Sequence, residues 1–276
     1  MRFAGLIVVA LCGSVSPLYA QQVYAQQAAP QTDTGADGFG RNTAERSTAE
    51  GVFMRFGDSP SMQHHKVAVG THVGGDGNRD SAAVETRGEI VVYGRKAFQL
   101  GLIGGGSYVG AARGLPEQSA GFGGVKAQLL SQELHGIDGA VSVQYTSKGF
   151  NLVPAVSSQL MLGRSFGDTQ LLFNVGYGAG LEEGERFGTL RAGMLTRVYR
   201  ELRVGLDARA MADLEFEWEE PEGEPEFEVN GGAVVSYAFS HLSVSALAGP
   251  AALRYRDGGD NTRVGAIFSL GIGATL

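Results

Sequence analysis

Cysteine is nearly missing: Cys12 is the only one in 276 residues, so no intramolecular disulfide can staple this fold. Charge is sparse as well, at 18% of residues against about 25% in ordinary soluble chains. There is no basic excess, because the formal net charge is −7. A surface that neutralises nucleic-acid phosphates is thereby excluded. Beyond the first twenty-odd residues no apolar run approaches the roughly 18 needed for a membrane helix. Glycine is abundant, at 43 residues, but shows no Gly-X-Y period, which removes collagen. Hydrophobic residues at 43% and aromatics at 9% are too plentiful for a wholly disordered chain.

The first residues read as an export signal. Met1-Arg2 is followed by an apolar run over 3–13, then by small residues with cleavage expected after Ala20 or after Ala25. A cationic start, a short apolar stretch and a small-residue site describe a secretory signal peptide over 1–25. The run is too short for a membrane anchor. Leu11 stands where a lipoprotein signal wants a small residue, which argues against lipidation at Cys12. Residues 26–64 are rich in Gln, Ala, Thr, Gly, Asp and Ser. Such a composition does not offset the entropy of ordering, so a disordered, flexible segment is expected. Asn42 and Glu45 suit the cap of a short helix, and Val52, Phe53, Met54 and Phe56 form a small apolar knot. The segment reads as a tether, with a plug folded into a lumen as the alternative.

From residue 65 onward the apolar period is two. In 202–216 one face carries Leu202, Val204, Leu206, Ala208, Ala210, Ala212, Leu214 and Phe216, while the other carries Arg203, Gly205, Asp207, Arg209, Met211, Asp213 and Glu215. Strict alternation sets one face in an apolar medium and the other in a polar one. Leu171, Phe173, Val175 and Tyr177 repeat the pattern, as do Leu190, Ala192, Met194 and Val198, and Val264, Phe268, Leu270 and Ile272. Turn signals divide 65–276 into about twelve strands: 66–73, 84–93, 97–108, 122–133, 137–146, 153–164, 169–179, 187–198, 202–216, 227–238, 241–255 and 262–275. Tight turns are expected near Gly94-Arg95, Leu134-His135, Ser165-Phe166, Tyr199-Arg200 and Phe239-Ser240. They alternate with longer loops near 74–83, 109–121, 147–152, 180–186, 217–226 and 256–261. Aromatics gather at strand ends (Tyr93, Phe98, Tyr108, Tyr199, Tyr237, Phe239, Tyr255).

In this leader, alternation, sorting of loops and placing of aromatics, the chain from about Lys66 to Leu276 resembles the superfamily of Gram-negative outer-membrane β-barrel proteins. The resemblance is architectural, and no short motif singles out a subfamily. Many members finish on an aromatic residue read by the insertion machinery, whereas this chain finishes on Leu276. It implies an all-β fold: a closed antiparallel up-and-down transmembrane β-barrel of about twelve strands behind a disordered N-terminal segment. It also implies an outer-membrane location, the 26–64 segment and both barrel termini on the periplasmic side, and partners among outer-membrane lipids, lipopolysaccharide and the barrel insertion machinery. A soluble sandwich or lipocalin-like barrel is the competing fold.

If the apolar face meets lipid, the charges point inward. Arg191, Arg197, Arg203, Asp207, Arg209 and Asp213 then line one pair of neighbouring strands, joined by Glu85, Arg87, Glu89 and Lys126 on others. Both members of that pair put odd-numbered residues inward, so paired numbers sum to an even value and an odd-length turn is expected around Arg200. The functional reading is a narrow passive pore that screens small hydrophilic solutes. The alternatives are a non-conducting structural or surface-interaction barrel, then an outer-membrane lipid hydrolase. Glu217, Glu219, Glu220, Glu222, Glu224 and Glu226 form an acidic loop on the extracellular side. It reads as solvated, since no spacing matches a calcium loop. Enzymatic signals are poor, and no cofactor or metal site is expected. Outer-membrane phospholipases use a Ser-His-Asn set. Here only His72 falls on an inward face near the long-loop rim, with Glu85 across the loop.

Overall fold

The computed structural model describes residues 60, 62, 67–77, 81–95, 98–110, 118–147, 154–181, 186–214, 225–239, 241–255 and 262–275. The leader with Cys12, the knot at 52–56 and acidic-loop residues Glu217, Glu219, Glu220, Glu222 and Glu224 lie outside them; the backbone of Glu226 lies in a strand.

Twelve strands follow in order: β1 (Val67–Asp76), β2 (Ser81–Arg95), β3 (Phe98–Val109), β4 (Gln118–Leu130), β5 (Asp138–Thr146) and β6 (Ala155–Phe166), then β7 (Thr169–Gly180), β8 (Arg186–Tyr199), β9 (Leu202–Asp213), β10 (Pro225–Phe239), β11 (Leu242–Tyr255) and β12 (Thr262–Thr275). Each pairs antiparallel with its sequence neighbours, and β1 closes on β12 through pairs from Ala68↔Thr275 to Asp76↔Ile267. The wall is therefore a closed barrel with no free edge, and both of its ends lie at the short-turn rim. Closure matters because every backbone donor and acceptor inside hydrocarbon must be paired. Strand lengths of 9 to 15 residues meet or exceed the roughly 9–11 that cross a bilayer. No helix among the described residues is long and apolar enough to do so.

The apolar face points out. Leu206 is 59%, Phe173 41% and Phe268 57% exposed, so these three share no dry centre, and a soluble sandwich or inward-packed barrel is excluded. Val73, Ile90, Leu102, Val125, Val143, Leu160, Leu190 and Ile272 continue the belt around the cylinder. Hydroxyls on this face pair across strands, Thr71 with Thr86 and Thr169 with Thr196, each at 3.0 Å. Aromatic rings border the belt at both rims. At the short-turn rim stand Tyr93, Phe98, Phe166 and Tyr199, with Arg95, Arg164 and Arg200 over three of them. Tyr108, Tyr145 and Tyr177 stand at the other rim. Amphipathic rings and cations belong at a membrane–water boundary. An apolar belt of this kind has no place in water. Leu206→Arg, near the middle of β9, is expected to cost about 2–4 kcal/mol of folding free energy in bilayers. Ser245→Arg, on the inner wall, is expected to cost far less. Equal losses in lipid-vesicle refolding titrations would contradict the outward facing of Leu206.

Several local expectations need correction. The connection expected as a tight turn at Leu134-His135 contains a one-turn helix, α1 (Gln132–His135). Here the Asp138 carboxylate accepts from the Gln132 N–H at 2.9 Å, and Gly136, in the left-handed region at φ 77°, turns the chain back. β4 starts at Gln118 and ends at Leu130, and β9 ends at Asp213 rather than 216. The loop expected over 74–83 shrinks to 77–80, because the ladder continues through Gly74↔Ala83 to Asp76↔Ser81. Glycine and alanine carry no visible alternation, so periodicity stopped short there. Around Arg200 the even sum holds in Arg191↔Arg209 and Arg197↔Arg203, yet the turn spans only 200–201. A bulge between Arg197 and Tyr199 absorbs the extra residue, and Arg200 takes φ 48°. The sorting of connections holds with one exception. One rim has 96–97, 131–137, 167–168, 200–201 and 240–241, and the other has 77–80, 110–117, 147–154, 181–185, 214–224 and 256–261.

Candidate functional site

The candidate site is the lumen, whose lining follows from the same period of two. Odd-numbered side chains of β8 and β9 point inward, and register sets Arg191 beside Arg209 and Arg197 beside Arg203. Like charges side by side require acids nearby. Asp207 sits one step along the inward face from Arg209, across from Gly193 on one side and Gly232 on the other. Arg197 reaches the rim, where its Nε lies 3.2 Å from Asp168 Oδ1 in the β6–β7 turn.

The six expected lining residues thus share one inner face but differ in access. Asp207 and Arg209 are 2% and 5% exposed and fill space within the wall. Arg191 and Asp213 are half-buried, and Arg197 is exposed at the rim. Arg203 borders a cavity of about 350 Å³ in the short-turn half of the lumen. His72, Arg87, Glu89 and Lys126 line it too, with serines 236, 243 and 245. Lys126 and Glu89 come from β4 and β2, with β3 between them, and their Nζ and Oε2 meet at 2.8 Å.

His72 is not near the long-loop rim. Because β1 and β2 run on to Asp76 and from Ser81, it lies midway along β1, directly across the ladder from Glu85. Its ring occupies the space above Gly271, where an added Cβ would come within 2.6 Å of the imidazole and 2.7 Å of Ser245 Oγ. Among the described residues no cluster of three His, Cys, Asp or Glu side chains is placed to hold a metal ion.

Alternation did not reveal the apolar part of the inner wall. Leu172 and Leu195 interrupt the polar faces of β7 and β8, and both are buried inside. Leu195, Val234, Leu247, Ala251 and Ile267 form one dry cluster bordering the cavity. Deeper along β10 the lining is polar again, with Asn230 Nδ2 donating to Glu228 Oε1 at 2.8 Å. The signal was present as inward-parity leucines, but a list of polar positions passes over them. A barrel of this size is narrow enough for inward side chains to pack on one another.

No protein-family model matches the chain, and no curated protein sequence matches it. Among solved structures it is similar to a KdgM porin in complex with disordered oligogalacturonate, at 8% identity over 76% of this chain and 99% of that one, with a TM-score of 0.48. It is similar to the NanC porin at 8% identity, over 76% of this chain and 100% of that one, with a TM-score of 0.49. The transport unit of the autotransporter AIDA-I from Escherichia coli is 12% identical over 86% of this chain and 98% of its own, with a TM-score of 0.49. LpxR from Salmonella typhimurium is 8% identical over 76% and 100%, with a TM-score of 0.48. At these identities the likeness is one of fold alone.

Proposed function

We propose that this protein is an outer-membrane barrel that gives narrow passive passage to small hydrophilic solutes. Outer-membrane lipids and lipopolysaccharide surround its belt, and the barrel insertion machinery places it there. The observation that carries the reading is the cavity of about 350 Å³ held inside the closed wall. Ala68, Arg203, Ser243 and Thr275 place it at the short-turn end. Its lining combines serine hydroxyls with Arg87, Lys126 and Arg203 against the single carboxylate of Glu89, a set suited to hydrated solutes and biased toward anions. The test is single-channel recording in planar bilayers, where discrete small steps are expected. Absence of any ion current ends the reading. Arg203→Glu is expected to move the reversal potential under a salt gradient toward cation preference; an unmoved potential removes Arg203 from the path.

The dry cluster of Leu195, Val234, Leu247, Ala251 and Ile267 favours a second reading, a structural barrel whose packed interior conducts nothing. The same recording separates the two, since that barrel inserts but stays silent.

A further inference from the structure

Two residues ahead of β1 lie inside the barrel. Pro60 and Met62 are fully buried, and the inner wall buries them. The Met62 N–H donates to Gln128 Oε1 at 2.8 Å. That glutamine is itself held in place: its Nε2 donates to the Leu130 carbonyl at 3.0 Å and to Asp138 Oδ1 at 3.2 Å. The same Asp138 oxygen accepts from the Gln132 N–H that opens α1. The acceptor offered to Met62 is therefore pinned by the one long connection at the short-turn rim.

Two missing side chains complete the fit. A Cβ on Gly101 would stand 2.5 Å from Met62 Cε, and one on Gly163 would stand 2.8 Å from Pro60 Cγ. Both glycines are buried on the inner wall, near the short-turn ends of β3 and β6. Their bare backbones are sockets, one for a thioether end and one for a pyrrolidine ring. A backbone donor satisfied by a fixed glutamine, with two apolar side chains seated on glycines, is what a specific docked segment requires. A free tether requires none of it.

We propose that Gly101, Gln128 and Gly163 form a binding seat for the chain's own Pro60 and Met62, and that the seated residues narrow the short-turn mouth beside the cavity. The narrowing half of this rests on the pore reading; the seating half does not. The experiment is a pair of measurements on the full chain in a Cys12→Ser background. Met62→Cys alone is expected to resist a water-soluble maleimide in the folded barrel, and Gly101→Leu added to it is expected to fill the socket and open that thiol to labelling. Pro60→Asp with Met62→Asp leaves the wall untouched and sets charge in apolar sockets, so it is expected to release the segment and raise single-channel conductance several-fold. A Met62→Cys thiol that labels as fast in the folded barrel as in denaturant overturns the seat, whether or not wild type conducts. A protected thiol together with unchanged conductance in the aspartate variant of a conducting barrel overturns the narrowing. A protected thiol with no current in either protein fails the pore reading and takes the narrowing with it.

Discussion

Gly232→Val is expected to abolish barrel assembly. Gly231 and Gly232 in β10 lie opposite Pro250 and Gly249 in β11, and pairing lapses there between Asn230↔Ala251 and Ala233↔Ala248. Pro250 has no N–H to offer the ladder. A Cβ on Gly232 would collide with the Ala248 carbonyl oxygen, and one on Gly249 with that of Gly231. Both obstacles are backbone, so no side chain can swing aside. The strands also lack freedom to part, because Gly232 stays paired to Asp207 and Pro250 to Ala266 on their outer sides. Overpacking costs about 1–3 kcal/mol where side chains adjust, and here the relief must come from two strands moving in a closed ring. The measurement is heat-modifiable migration on gels after detergent extraction, with loss of the folded band expected for the variant. Ala246→Val, exposed on the outer face, is the control and is expected to assemble. A folded band of wild-type intensity for Gly232→Val would refute the close approach.

The next largest effect is expected at Lys126. Its side chain is 4% exposed and that of Glu89 12%, and their ion pair ties β4 to β2 across the inner face of β3. Removing one member of a buried pair strips the other of its nearest opposite charge, typically at about 3–5 kcal/mol. Lys126→Met should therefore lower the denaturant midpoint strongly, and adding Glu89→Leu should recover most of the loss, because an apolar pair needs no compensation. Equal stability for the single and double variants would mean that water or a neighbour already solvates Glu89.

Much of this molecule is readable from residue order. All twelve strands lie close to where alternation and turn signals place them, and Leu206, Phe173 and Phe268 face outward as their parity requires. The inward facing of Arg203, Asp207 and Arg209 follows from the same arithmetic. Misjudged spans have two causes. At Gly74-Gly75 and Ala82-Ala83 small side chains leave no pattern to read. At Arg197–Tyr199 a bulge shifts the count without marking the sequence. Pro60 and Met62 sit in a stretch whose composition favours disorder, and nothing local points to Gly101 or Gly163 as their counterparts.

Residue order by itself determined which face of each strand meets hydrocarbon and how many strands cross it, because both depend on a two-residue backbone period acting against the surrounding solvent. Closure of the ring decided the rest: that Lys126 finds Glu89 over an intervening strand, that inward leucines gather beside the cavity, and that Met62 meets Gln128. Those meetings depend on strand stagger and lumen width, which arise only when Ala68 pairs with Thr275 and the wall is sealed.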